Sequence, residues 1–472
     1  MHLSKRIAII GAGPGGYVAA IRAAQLGADV YLIENREVGG TCLNRGCIPT
    51  KTYFRNAEIM SSLKRANEFG ITVDGYKLDG KALQERKQNV VNNLVTGIEK
   101  LISSYKNIEF IAGTAALKDK NTVAVELKDG GNREVEADNI IIATGSYPQM
   151  TETKGVDLEG VITSDELLAL DHIPETLIVV GGGVIGLEFA SIYKELGSHV
   201  ILLASRILKD SDKEIGKRLT PMLKKQGIET YVDIRAKEIT KEGDKLKVLA
   251  KYKEKDEEIE VAGDYVLIAS GRGPLIEGLN LEGVGIESNR KGIVVNDDFE
   301  TTVEGIYAIG DVNSKGIQLA HVASAQGEYV VEKIMGHNPD IVLEHFPSCV
   351  FTMNEVAQVG FTEEQLKEKG IEYKTSKFMF SANGKALSLG EPEGIVKILA
   401  GKDDNKLLGV HILGAHANDL IHEGALAIAN DMDASAITRT IHAHPTLSEA
   451  VHETALGLND GAIHIAPKRK RK

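Results

Sequence analysis

One glycine-rich pattern occurs twice in this chain, and that repetition constrains the fold more than any other feature. Residues 6–34 read RIAIIGAGPGGYVAAIRAAQLGADVYLIE, and residues 177–204 read LIVVGGGVIGLEFASIYKELGSHVILLA. The copies match in register: Gly11 with Gly181, Gly13 with Gly183, Gly16 with Gly186, Gly27 with Gly197. Each runs from an apolar strand through a glycine turn into a helix with apolar residues at helical spacing, then out into a second strand. That is the β-α-β mononucleotide unit. Each copy is followed further on by a buried-strand pattern that ends in a small-residue turn. These are Ile140-Ile141-Ile142-Ala143-Thr144-Gly145 and Val266-Leu267-Ile268-Ala269-Ser270-Gly271.

The two copies predict an α/β fold with two Rossmann-like domains, 1–148 and 149–272, joined near Pro148 and again near 272. The alternating charged stretches at about 108–138 and 228–262 predict antiparallel strands with polar turns. A third segment, 273–343, carries Gly305-Ile306-Tyr307-Ala308-Ile309-Gly310-Asp311 and returns to the first domain. From 344 to 472 the pattern changes. Strands around 347–352, 373–380, 394–399 and 407–413 alternate with helices near 362–369 and 418–430, which predicts a C-terminal α+β domain. The final Lys468-Arg469-Lys470-Arg471-Lys472 reads as a solvated end. A length of 472 residues suits several domains of roughly 150 residues each.

Composition excludes other classes. Lys plus Arg is 55 against 67 for Asp plus Glu, a net charge of −12, where a nucleic-acid binder would show a basic stripe. With no Trp and 5% aromatic residues there is little from which to build a base-stacking platform. Three cysteines do not make a secreted disulfide framework. No apolar run approaches the roughly 18 residues of a membrane span. Lys5-Arg6 leads straight into the first strand and leaves no room for a targeting segment. The expectation is a cytoplasmic enzyme with neither nucleic-acid nor membrane partners.

In the first unit, Gly11 and Gly13 let the backbone turn and approach a pyrophosphate, and Gly16 lets helix and strand pack closely. The helix N-terminus supplies amide donors and positive partial charge. Glu34, at the end of the second strand, can accept bonds from ribose hydroxyls. The second unit departs here: Ala204 stands in place of the acid, followed by Ser205, Arg206 and, further on, Lys209. A carboxylate would repel the 2′-phosphate of NADP, so this pattern suits that phosphate over a bare ribose. One charge-assisted hydrogen bond contributes about 1.5–3 kcal/mol, roughly a tenfold to hundredfold preference. The pairing of Arg206 or Lys209 with one phosphate oxygen stays open.

Cys42 and Cys47 follow the first unit in Gly39-Gly40-Thr41-Cys42-Leu43-Asn44-Arg45-Gly46-Cys47-Ile48-Pro49-Thr50-Lys51. Five residues of ideal helix rise about 7.5 Å, beyond the Cα spacing of a disulfide. The pair can bridge only across an irregular segment, which Gly46 and Pro49 supply. A strained bridge in a reducing compartment is labile, hence catalytic. Cys349 has no partner signal and reads as a small core residue. Near the C-terminus, in Ile441-His442-Ala443-His444-Pro445-Thr446-Leu447-Ser448-Glu449, His444 and Glu449 form a candidate base with its orienter. A thiol needs such a base at neutral pH.

Together these motifs resemble the pyridine nucleotide–disulfide oxidoreductases over essentially the whole chain, in the family's order: GAGPGGYVAA, GGTCLNRGCIPTK, ATGSYP, GGGVIGLE, GIYAIGDV, LAHVASAQG and HAHPTLSE. The nearest likeness is to members that oxidise dihydrolipoyl groups. The resemblance implies a homodimer with one FAD and one NAD or NADP per subunit, and a dimerisation role for the C-terminal domain. It implies FAD on Gly11, Gly13 and Gly16, with Glu34 on the ribose, Asp311 on the ribityl chain, and Thr144 and Gly145 beside the flavin. It puts the nicotinamide nucleotide along Gly181, Gly183 and Gly186, with Gly271, Ser205 and Arg206 beside it. It makes Cys42 the thiol that exchanges with substrate and Cys47 the one facing the flavin. Lys51 and Glu188 resemble the ion pair beside the flavin's reactive edge. His444, held by Glu449, would come from the partner subunit. The implied substrate carriers are the lipoyl-bearing acyltransferase of a 2-oxo acid dehydrogenase complex or the carrier protein of glycine cleavage.

Two alternatives stand beside this reading. A glutathione-type reductase using NADPH usually has Arg on the first helix where Ile21 stands here, with Arg22 beside it. A non-catalytic flavoprotein would leave the cysteine pair and the His444–Glu449 pair unexplained. The chain departs from the family pattern at Ala204, at Asn354, where Pro is common, and at Leu275, where Asn is common.

Overall fold

The protein is described by a computed structural model covering residues 4–459 and 461–466. The basic end at 468–472 lies outside the described residues. Strand Arg6–Ile10 sits between Asp29–Glu34 and Asn139–Ile142, parallel to both, with Ile9 opposite Leu32 on one side and Ile141 on the other. The second unit repeats the arrangement. Thr176–Val180 sits between His199–Ala204 and Tyr265–Ile268, with Val179 opposite both Leu202 and Leu267. These strands are continuous apolar runs because helices and neighbouring segments cover both sheet faces. Helices Pro14–Gln25 and Val184–Leu196 pack against the two sheets through small and aliphatic residues.

Strand Ile306–Ala308 pairs in parallel with Asn139–Ile142 at the edge of the first sheet, so the segment after 272 does return to the first domain. The two passages between domains also pair: Ser146–Pro148 runs antiparallel to Arg272–Pro274. The C-terminal region forms a five-stranded antiparallel sheet in the order Ser348–Val350, Val356–Gly360, Leu407–Leu413, Ile395–Gly401, Tyr373–Met379. Helices Glu363–Lys369, Ala417–Ala429 and Glu449–Leu456 accompany it. Among the described residues, no helix is long and apolar enough to cross a membrane.

The antiparallel expectation for 108–138 and 228–262 is corrected in part. The strand Ile108–Asp119 begins parallel to Asp29–Glu34 and only its second half turns antiparallel to Thr122–Leu127. In the second domain the same passage is broken. Glu229–Val232 is parallel to His199–Ala204, Asp233 takes a left-handed conformation at φ 59°, and the antiparallel ribbon starts at Ile234. A single strand can serve both sheets, and the polar alternation shows only in its antiparallel half. Strand Val356–Gly360 and helix Glu449–Leu456 were not expected from the sequence.

A buried charge cluster joins the second nucleotide domain to the C-terminal sheet. Lys397 is fully buried, with Nζ 2.9 and 2.8 Å from the two Asp212 oxygens and 2.5 Å from Glu363. Asp212 also caps helix Lys213–Lys225 by accepting from the Glu214 amide. Removing one partner of such a cluster leaves a buried charge uncompensated. Lys397→Met is expected to lower stability by about 3–5 kcal/mol, and adding Asp212→Asn is expected to recover part of the loss. Urea unfolding of the two variants checks this; equal midpoints for wild type and Lys397→Met would overturn it.

Candidate active site

Both glycine turns are built on the same close approach. Gly11 and Gly181 have φ of 106° and 134°, and a Cβ on either would collide with a carbonyl oxygen of the third strand's end, Ala143 or Ala269. A Cβ on Gly16 or Gly186 would strike the carbonyl of Gly11 or Gly181. By contrast, the space above Gly183 is open and the nearest atom to a Cβ on Gly13 is 3.9 Å away, so a ligand can approach the backbone there. Glu34 closes the first turn: its two oxygens accept from the Ala12 and Arg36 amides, each at 2.7 Å. Both turns open into one cavity of about 1950 Å³. Thr144, Gly145, Gly271, Ser205 and Arg206 line it as well.

The cysteine pair lies on the wall of this cavity. Gly39 donates to the Ala12 carbonyl at 2.8 Å, and a Cβ on Gly40 would lie 2.7 Å from the Gly13 Cα. The segment is therefore laid directly on the first glycine turn. Cys42 belongs to helix Gly40–Arg45 and Cys47 begins helix Cys47–Lys64. Gly46 breaks the helix between them at φ −137°, ψ −112°, and its α-carbon faces the backbone of Thr41 and Cys42 too closely for a side chain. This is the irregular segment that the spacing demanded. As thiols, the two cysteines act on each other's ionisation. The interaction with Cys42 brings the Cys47 thiol down to about 7 against the opposing effect of burial, and Lys51 helps. The same interaction, with burial, pushes the Cys42 thiol far up. Cys47 is thus the thiolate of the pair, and its place at a helix N-terminus supports the charge.

Lys51 stands one turn along from Cys47. Its Nζ lies 2.9 and 2.8 Å from the Glu188 oxygens and 4.4 Å from the centre of the Phe351 ring. The Glu188 side chain is only 5% exposed and also accepts from the Phe351 amide at 3.0 Å. One ion pair therefore ties together the dithiol helix, the second glycine helix and the C-terminal domain. On the other side, Arg272 donates to the Ser146 hydroxyl and carbonyl, both at 2.8 Å, and Ser146 donates to Asp311 at 2.6 Å. Burial raises the Asp311 carboxyl while Ser146 and Arg272 oppose the rise. Sequence reading missed Arg272, Ser146 and Phe351. Arg272 follows the flagged Gly271 directly, and its position after a small-residue turn was the signal available.

Cys349 is half-buried: it packs against the core of the C-terminal domain and also reaches the cavity wall, and burial pushes its thiol up to about 11. Thr144 donates to the Leu275 carbonyl at 2.7 Å. Arg22, the residue next to the substrate-holding position of glutathione-type enzymes, is taken up by Glu332 at 3.0 and 2.6 Å. His444 and Glu449 are brought together, Nδ1 to Oε1 at 2.9 Å, but they do not line the cavity, and the His444 side chain is 78% exposed. Cys42 and Cys47 line the cavity, while His444 and Glu449 of the same chain lie outside it.

The second nucleotide end has a charge pattern of its own. Ala204 is buried, and Gly182 packs so tightly on the Arg206 carbonyl that no side chain fits between them. Arg206, Lys209, Arg235 and Lys237 all line the cavity. Among the described residues none of these four is in an ion pair. Arg235 and Lys237 were not flagged from the sequence because they lie beyond the second unit, on strand Ile234–Glu242.

Comparison with known proteins agrees with this geometry. The family model described as pyridine nucleotide-disulphide oxidoreductase matches residues 5–327, and that family's dimerisation domain matches 346–455. The chain belongs to the pyridine nucleotide-disulphide oxidoreductase family. It is 40% identical over 464 residues to a mitochondrial dihydrolipoyl dehydrogenase of Pisum sativum, covering 97% of this chain and 92% of that one. It is 41% identical over 474 residues to a dihydrolipoyl dehydrogenase of Bacillus subtilis, covering 97% and 99%. The crystal structure of LpdA from Mycobacterium tuberculosis superposes with a TM-score of 0.88 at 29% identity, over 96% of this chain and 99% of that one. As a member of the family, the chain is an oxidoreductase using FAD and NAD(P), and its dimerisation domain supports a homodimer. The first glycine turn with Glu34, and the buried Asp311 on the cavity wall, fit FAD; the second turn fits the nicotinamide nucleotide.

The thiol assignment is testable. Alkylation of the reduced protein by iodoacetamide is expected to rise through pH about 7, below the roughly 8.5 of a free cysteine. A lowered value means that the thiolate persists to lower pH. Lys51→Met removes a supporting cation and is expected to move the profile upward by about one pH unit. A wild-type profile centred at the free-cysteine value would overturn the assignment.

Proposed function

We propose that this chain is a dihydrolipoyl dehydrogenase that reoxidises protein-bound dihydrolipoyl groups. Its carriers are the acyltransferase of a 2-oxo acid dehydrogenase complex or the carrier protein of glycine cleavage, and it works in the cytoplasm. The observation that carries the reading is the dithiol pair laid on the first glycine turn and joined by Lys51–Glu188 to the second, in a chain similar over its full length to proteins of that name.

The chain's residues divide the work. His444 of the partner subunit, its Nδ1 held by Glu449, takes a proton at Nε2 from one substrate thiol. The substrate thiolate attacks the Cys42 sulfur of the Cys42–Cys47 disulfide, forming a mixed disulfide and releasing Cys47 as thiolate. The low pKa of Cys47 makes it the better leaving group. The second substrate thiol then displaces Cys42, which takes the proton, and cyclic lipoyl disulfide departs. Gly11, Gly13, Gly16, Glu34 and Asp311 would hold FAD beside the dithiol, and the cofactor would supply the two-electron acceptor for the thiols and the hydride donor for the nicotinamide nucleotide. Lys51 and Glu188 hold a fixed charge pair between the two glycine units.

We also propose that NADP is the preferred nucleotide. The missing acid at Ala204 removes a repulsion, and Arg206, Lys209, Arg235 and Lys237 leave four cations without carboxylate partners at the adenosine end.

Purified holoenzyme assayed with dihydrolipoamide tests these readings. Cys42→Ser and Cys47→Ser are each expected to abolish turnover while retaining bound FAD; full residual turnover in either would sink the disulfide mechanism. Ala204→Glu is expected to shift the NADP/NAD ratio of kcat/KM towards NAD by roughly tenfold to hundredfold. A ratio that stays put would show that position 204 does not set the choice.

A further inference from the structure

His442 is half of the His-Ala-His opening, yet the reaction above gives it no part. The turn that bears it alternates in burial. Ile441 is 96% exposed, the His442 side chain only 8%, and the His444 side chain points out again. His442 is held at both ends of its ring. Nδ1 lies 2.9 Å from the Thr440 carbonyl oxygen, and Nε2 lies 2.8 Å from a carboxylate oxygen of Glu423 on helix Ala417–Ala429. The ring also packs on His452 of helix Glu449–Leu456, with centroids 4.8 Å apart, and His452 Nε2 is 3.1 Å from the Thr438 carbonyl.

The turn is therefore pinned from two sides. Glu449 fixes its C-terminal half by holding His444 and by accepting the Thr446 amide at 2.8 Å. Glu423, through His442, fixes its N-terminal half against a different helix. We infer that His442 and Glu423 are positioning residues that set the direction in which His444 leaves its own chain towards the thiols of the second copy. The inference rests on the reading of His444 as the base. Its physical ground is reach. In the single chain His444 is exposed and does not line its own chain's cavity, so Glu449 and the rigidity of this turn together decide where its Nε2 points. A misplacement of about 1 Å at a reacting group can slow a step by about a hundredfold.

The test is stopped-flow of the FAD-loaded dimer in its two half-reactions. His442→Asn and the milder Glu423→Gln are expected to slow flavin reduction by dihydrolipoamide by about ten- to a hundredfold. Flavin reduction by NADPH or NADH, which bypasses the base, is expected to stay unchanged, as is the dimer by sedimentation. His444→Gln serves as the reference. If His444→Gln slows the thiol half-reaction but His442→Asn and Glu423→Gln do not, only this inference fails. If both half-reactions slow together, or the dimer dissociates, the pair is merely structural and the inference fails. If His444→Gln itself leaves the thiol half-reaction intact, the base assignment fails and takes this inference with it.

Discussion

The close approach of two backbone segments, made twice, is the constraint on which the rest of this molecule depends. At Gly11 and Gly181 the chain passes so near the carbonyl ending the third strand that no side chain fits, and at Gly16 and Gly186 the helix returns onto that same turn. Each approach aims a helix N-terminus and a row of amides into the cavity. The dithiol segment is then laid on the first of these turns through Gly39 and Gly40. The dithiol and the first glycine turn are adjacent because they share backbone contacts, while the Lys51–Glu188 pair links the dithiol helix to the second glycine helix.

Charge is distributed around the dithiol with equal economy. Cys47 has a helix N-terminus and Lys51 on its side, and Cys42 has neither advantage to the same degree. The two sulfurs are thereby made unequal although the sequence lists them as a symmetrical pair. Lys51 is in turn held by Glu188, which also accepts the Phe351 amide, so the cation beside the thiolate is fixed by two other domains.

How much of this was legible depended on whether the chemistry was local in sequence. The repeat of glycines predicted both nucleotide units and their strands. The five-residue spacing of the cysteines predicted an irregular break, and Gly46 makes it. The spacing of His444 and Glu449 predicted their contact, since a short turn joins them. What escaped were contacts between distant segments. Arg272 reaches Ser146 because two crossing passages pair as strands, and Phe351 reaches Glu188 from another domain. The parallel start of Ile108–Asp119 escaped because one strand serves two sheets while its pattern shows only the second. That Cys349 also reaches the cavity wall escaped because a half-buried wall residue and a core residue look alike in an apolar run.

The loop after Ala204 shows how such distant contacts bear on specificity. It is tied at three points. Lys253 holds the Ser205 carbonyl at its start, at 3.1 Å. Leu208 donates to the Gly182 carbonyl at 2.9 Å, which ties its middle to the glycine turn. Asp212, buried under Lys397 and Glu363, fixes its end to the dimerisation domain. A cation carried on a loop with both ends fixed loses less conformational freedom on meeting a phosphate than one on a free loop. These ties hold Arg206 and Lys209 in a fixed place, and Arg235 and Lys237 stand on a strand, rigid by construction. The proposed NADP preference therefore rests on where the backbone is anchored as much as on which side chain replaces the acid.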